Sequence, residues 1–261
     1  MLLTNKNAVI YGGAGAVGSA VAHAFAREGA NVFLAGRTLQ KLDAVASQIR
    51  AVGGKADTAV VDALNEEQVE NHLAAIVKRA GSVDISFNLI GLSDVHGNAL
   101  TKMDTSLFIA PVIEAARAHF ITATAAARYM QQQCSGVILA LTANVARKPY
   151  PDVGGFGVAC AAIESICRQL ALEAGSYGVR VVCLRSAGSP DAPGVDEVFH
   201  LHAANAGLTR EEFERQFAER TMLKHLPRLK EVANAAVLMA SGHASAITAA
   251  VVNVTCGELA D

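Results

Sequence analysis

Gly12, Gly13, Gly15 and Gly18 lie in the run VIYGGAGAVGSA, and residues 13–18 read G-x-G-x-x-G. Glycines at that spacing permit a tight turn and let the backbone come close to a bound group. The run closes an apolar stretch and opens a helical pattern at Val17. The N–H groups and positive dipole of that helix are therefore offered to an anion such as a pyrophosphate. About 20 residues further on, a dinucleotide site usually carries an acid for the ribose 2′-hydroxyl. Here the sequence reads LAGRT, with Gly36 in the acidic slot and Arg37 after it. A carboxylate repels a 2′-phosphate, whereas a guanidinium pairs with it, and Thr38 adds a hydroxyl. These residues predict a dinucleotide site that prefers NADP(H).

Other reactive side chains are sparse. Phe156 and Cys160 in GGFGVACAAIE share one helical face, which holds no acid or base of ordinary strength. A cysteine in apolar surroundings is usually inert. Asp94 and His96 fall on one predicted loop, and Asn144, Tyr150 and Asp152 on another. The five cysteines form no C-x-x-C, and the eight histidines lack metal-ligand spacing, so no disulfide framework and no metal are expected. His200 and His202, the one close pair, read as surface residues.

The elements that must position these groups alternate regularly. Apolar runs at 7–12, 31–36, 55–62, 83–91, 136–142, 179–186 and 249–255 predict strands. Helical patterns separate them, the longest over about 105–132. Strand and helix alternating to the end predict an α/β fold, a doubly wound parallel sheet with helices on both faces. Residues 1–261 are expected to form a single domain. Residues 187–228, opened by Gly188, Pro190, Pro193 and Gly194, interrupt the alternation. They are expected to form an inserted lid around one amphipathic helix, TREEFERQFAERTMLKHL.

The chain has 261 residues, 52% of them apolar, with 22 Lys and Arg against 24 Asp and Glu. A net charge of −2 without charged blocks favours neither nucleic acid nor an anionic membrane. No basic leader precedes the first strand, and a cytoplasmic protein is expected.

The whole length resembles the short-chain dehydrogenase/reductase family. Besides the glycine turn, VVDALNEEQV resembles the segment in which an Asp, here Asp62 followed by Ala63, meets the adenine amino group. DISFNLIG resembles the family's D-x-L-V-N-N-A-G, with Asn88 and Gly91 kept. GVILALTAN, YGVRVVCLRSAG and the segment ending VVNVTCG follow in the family's order. The resemblance implies a Rossmann fold of about seven strands in the order 3-2-1-4-5-6-7, a small-molecule substrate, and a dimer or tetramer of identical chains.

The departures concern catalysis. The family's Tyr donates a proton, its Lys lowers the Tyr pKa, its Ser orients substrate, and its Asn keeps a water in the proton relay. Matched to Y-x-x-x-K, Phe156 stands for Tyr and Cys160 for Lys. The Ser falls on Ala143, thirteen residues before Phe156, and the Asn on Ala115, fifteen before Met130. Ala16 and Tyr11 replace a Gly and the Thr of the family's glycine turn, and Ala187-Gly188 replaces its Pro-Gly. A missing general acid is typically worth about 10²- to 10⁴-fold, which cripples reduction of ordinary ketones but not of an activated C=N or C=C. Two readings stay open. One is an NADP(H)-dependent reductase with Tyr150, Asp152, His96 or Asn144 as substitute groups. The other is an inactive relative that binds NADP(H) as a sensor or scaffold.

Overall fold

A computed structural model describes residues 1–260. The strands are β1 (Asn7–Tyr11), β2 (Asn31–Gly36), β3 (Lys55–Val60), β4 (Ile85–Asn88), β5 (Gly136–Ala143), β6 (Val179–Ser186) and β7 (Ala250–Val254). The helices are α1 (Ala16–Arg27), α2 (Leu39–Ala51), α3 (Glu66–Ala80), α4 (Thr105–Gln133), α5 (Phe156–Ala174), α6 (Pro193–Ala206), α7 (Arg210–Arg220) and α8 (Leu229–Ala240). All strand pairs are parallel, in one seven-stranded sheet ordered β3-β2-β1-β4-β5-β6-β7, as expected.

Every residue of β1 and β4 is buried, because both faces of the sheet are covered. The period of two splits the core. Ala8 and Ile10 pack on one face with Phe25, Leu34 and Met239, under α1 and α8. Val9 and Tyr11 pack on the other with Leu73, Met130 and Ile163, under α3, α4 and α5. The order reverses between β1 and β4, whose last residues, Tyr11 and Asn88, are register partners. Open α/β sheets bind ligands beyond the carboxyl ends of their strands at such a switch point.

The inserted segment differs from expectation. It holds two helices, not one. Its second, α7, starts at a capping box between Thr209 and Glu212, a signal legible in TREE. The first, α6, starts at Pro193. Proline is at home in the first helical turn, where its missing N–H loses no bond, so the Pro and Gly of this region mark a helix start as well as a loop. The pair encloses a small core of Ala187, Phe199 and Leu226 with Phe213 and Phe217, separate from the two faces of the sheet.

Candidate active site and dinucleotide cleft

The glycine turn is built by backbone proximity. Gly12 has φ +74°, and a Cβ there would lie 2.4 Å from the Leu89 carbonyl oxygen. A Cβ on Gly18 would lie 2.2 Å from the Gly12 oxygen. The N–H groups of Gly12 and Gly13 both donate to Ala35 O, at 2.9 and 3.2 Å, which ties the turn to the end of β2. Gly15 precedes α1, whose first turn has no side-chain cap and no acid. The first-turn N–H groups, including that of Val17, thus face the cleft without a partner inside the helix. This cradle fits a pyrophosphate.

Next to it, Arg37 and Thr38 are exposed. Thr38 precedes α2, which also lacks a side-chain cap and a first-turn acid. A Cβ on Gly36 would make only ordinary contact with Leu42, at 3.5 Å, so packing does not demand glycine in the slot where an acid usually stands. The Val61 N–H donates to Gly36 O at 3.0 Å and brings Asp62 and buried Ala63 alongside. Asp62 Oδ1 accepts from the Leu64 N–H, which holds its carboxylate at the rim. Asn88 is buried, donating to Thr122 Oγ1 at 2.9 Å and accepting from the Ile90 N–H at 3.1 Å. A Cβ on Gly91 would meet nothing within 4 Å, so this corner is open. Gly188, after β6, has φ +88°.

The four positions matched to the family's catalytic groups lie on β5, α4 and α5. Ala115 and Cys160 are buried, Ala143 and Phe156 half-buried. Burial pushes the Cys160 thiol up to about 12, partly offset by a hydrogen bond with the Ala143 backbone. That bond joins the positions matched to the family's Lys and Ser. One turn deeper, Glu164 forms a buried two-pronged pair with Arg185, at 2.8 and 2.7 Å, and accepts from Thr142 Oγ1. The face is apolar where it meets the cleft and ionic underneath.

Of the candidate substitute groups, His96 packs against Phe156. Its ring centroid is 5.8 Å from that of Phe156, and its Nε2 is 2.5 Å from Asp94 Oδ2. The side chains are only 9% and 21% exposed, so the pair is enclosed rather than solvated. Asp94 also acts electrostatically on Cys160. The pair therefore sits over the face that Phe156 and Cys160 share. Asp152 is half-buried on the opposite loop, and its carbonyl accepts from the Gly97 N–H at 2.8 Å, pinning the two loops together.

Tyr150 and Asn144 are committed elsewhere. Both donate to Glu258, whose side chain is fully buried, and Lys148 adds an ion pair at 3.1 Å. Burial and Glu258 raise the Tyr150 pKa far above its usual value, which makes it a poor acid. Its ring stacks on Phe217 of α7, at 5.7 Å. Lys148 and Glu258 lie 110 residues apart, and no local pattern announces their meeting. His202 corrects the surface reading of HLH: it is half-buried, with Nε2 3.4 Å from His96 Nδ1. Two further groups went unremarked in the sequence. Ser186 Oγ, paired in register with Ala143 at the strand ends, is buried without a partner among the described residues. So is His119 Nε2, one turn beyond Ala115, where burial lowers the pKa to about 4.

A family model described as enoyl-(acyl carrier protein) reductase matches residues 12–258. An uncharacterized oxidoreductase of Mycobacterium tuberculosis is 30% identical over 257 residues, 98% of this chain and 92% of that protein. An NAD+-bound xylitol dehydrogenase superposes with a TM-score of 0.91 at 19% identity, over 98% of this chain and 100% of that one. An actinorhodin polyketide ketoreductase with NADPH superposes at 0.87 and 21%, over 97% of each chain. The chain belongs to the short-chain dehydrogenase/reductase family, oxidoreductases that use NAD(P)(H).

Proposed function

We propose that this short-chain dehydrogenase/reductase is an NADP(H)-dependent reductase of activated C=N or C=C bonds that works without the family's Tyr and Lys. The observation that carries the reading is the enclosed Asp94–His96 pair against the ring of Phe156. The bound cofactor supplies the hydride. The chain's own residues do the rest. The glycine turn and first turn of α1 bind the pyrophosphate, and Arg37 with Thr38 favours a 2′-phosphate. The Phe156 ring offers its negative face to a cationic acceptor such as an iminium ion. His96, oriented by Asp94, gives a proton to an acceptor that carries none.

The test is NADPH consumption with cyclic imines, enones and matched ketones, from about pH 5 to pH 9. Imines and enones should turn over and simple ketones hardly at all. Imines should go faster at lower pH, where more iminium forms. Ketones reduced as fast as imines would overturn the preference for activated acceptors and show a proton donor strong enough for an ordinary carbonyl. Apolar groups at all four family positions favour the second reading, a sensor or scaffold. Tight NADPH binding without turnover of any acceptor would establish that one instead.

The same proposal includes a homo-oligomer. Ile109, Ile113 and Phe120 of α4 and Val158 and Leu172 of α5 are exposed apolar residues on neighbouring helices, the kind of surface that a second copy covers. Light scattering after size-exclusion chromatography should give a dimer or tetramer, and a monomer at micromolar concentration would refute it.

A further inference from the structure

Reducing a neutral acceptor consumes a proton as well as a hydride, and the proton must be replaced from solvent after each turnover. The family groups that would carry it are absent here, with Ala115 and Cys160 buried and apolar in their places. Another line of polar groups leads into the same spot. Asp94 Oδ2 holds His96 Nε2, and His96 Nδ1 faces His202 Nε2 across 3.4 Å. His202 is on α6, stacked on Phe213 of α7 at 6.1 Å, and its immediate neighbours His200 and Leu201 are exposed. The line thus runs from Phe156 on α5 to the outer helices of the insertion.

We infer that His202 is a proton-relay residue that recharges His96, making the insertion part of the proton path as well as a cover. The inference rests on the reductase reading of this site. The step balances simply. His96, protonated on both nitrogens, breaks its Nδ1–H bond and gives that proton to the reduced acceptor. It is left neutral, with Nε2–H on Asp94. Once product leaves, His202, protonated on both nitrogens by water or buffer, passes its Nε2 proton to the vacated Nδ1 and is left neutral with Nδ1–H, ready to take up the next solvent proton. Substrate and His202 take turns at one nitrogen, while Asp94 keeps the other occupied.

The charged and titratable groups around the line are few. His96 faces Asp94 from its own loop and His202 from α6, with the Cys160 thiol on α5 behind Asp94. His202 feels His96, and Asp152 from the loop before α5. Burial and His96 both lower the His202 pKa while Asp152 opposes them, which keeps His202 ready to part with its proton.

The experiment compares wild type with His202→Gln and His202→Phe, the latter keeping a ring against Phe213. Single-turnover NADPH oxidation with excess enzyme reads the first proton transfer, and steady-state turnover reads the recharge. In the variants the single turnover should stay within about twofold, while steady-state kcat falls roughly ten- to hundredfold and recovers with free imidazole. Steady-state rates equal to wild type, or no recovery with imidazole, would overturn the relay and leave the reductase reading standing. Proton NMR gives a readout without turnover. The His96 ring resonances should shift in His202→Gln, and unchanged resonances would overturn the contact between the two rings. A wild-type protein inert toward every acceptor would overturn the reductase reading and the relay with it.

Discussion

The two ends of the cleft are built by different means. At the dinucleotide end, backbone does the work. Gly12 and Gly18 stand where any Cβ would lie within 2.4 Å of a carbonyl oxygen, so a side chain there would displace the turn. At the other end, side chains line the cleft, and they can differ without moving the frame. Ala115, Ala143, Phe156 and Cys160 sit on intact α4, β5 and α5, around a sheet in the family order. A site made of backbone resists replacement because each change is a collision. A site made of side chains on rigid elements accepts it, because the elements are held by the core behind them.

The comparison can be broken first at the turn. Gly18→Ala should weaken NADPH binding on the order of 100-fold or more, since the loss of two or three phosphate hydrogen bonds costs several kcal/mol. Cofactor fluorescence measures it, with circular dichroism checking the fold. Binding within a few-fold of wild type would mean that the turn is not rigid.

The matching change at the substrate end is His96→Gln. It should leave NADPH affinity intact and lower kcat on enones by roughly 10²- to 10⁴-fold, with a smaller loss on iminium acceptors that arrive charged. An equal loss on both would point to a role in positioning rather than proton donation.

A third contrast lies within α4. The folded-state pKa of His119, about 4, is below its unfolded value, so between these values the unfolded chain holds the extra proton. Stability therefore falls as pH drops from about 6.5 toward 4, by on the order of 3 kcal/mol from this group. Urea unfolding at several pH values should show the slope, and His119→Leu should reduce it by this share, leaving that of His72, which burial also lowers to about 4. Arg37→Ala is the smallest of the four. It should weaken NADPH roughly ten- to 150-fold, from the loss of about 1.5–3 kcal/mol, and hardly change NADH. Equal weakening of both would remove the 2′-phosphate from the argument.

How much the sequence revealed follows the same division. Strand runs, the glycine turn and the doubly wound parallel sheet were legible because they rest on local patterns and a regular alternation, whereas the strand order came from the family resemblance. The Phe156 and Cys160 face was legible as a face through its spacing of four. The partners were not. His202 reaches His96 across 106 residues, and Glu258 reaches Tyr150 across 108. Such meetings depend on how the insertion and the C-terminal segment fold back, which no periodicity encodes. Pro193 misled for a related reason, since the residue that breaks a helix interior also starts one.

At the entry to α5, a Cβ on Gly155 would lie 1.9 Å from the Phe108 carbonyl oxygen, and one on Gly154 2.6 Å from that of Val95. The chain there has no slack. Whatever side chain stands at position 156 leaves the same backbone in the same direction, so the position acts as a socket into which different groups can be plugged. Substitutions at 156 and 160 would then sample reactions rather than folds, each presenting a new group beside the same His96. Phe156→Tyr with Cys160→Lys and Ala143→Ser is one setting of that socket. The reductase reading describes another, and a library over the three positions would map the settings between.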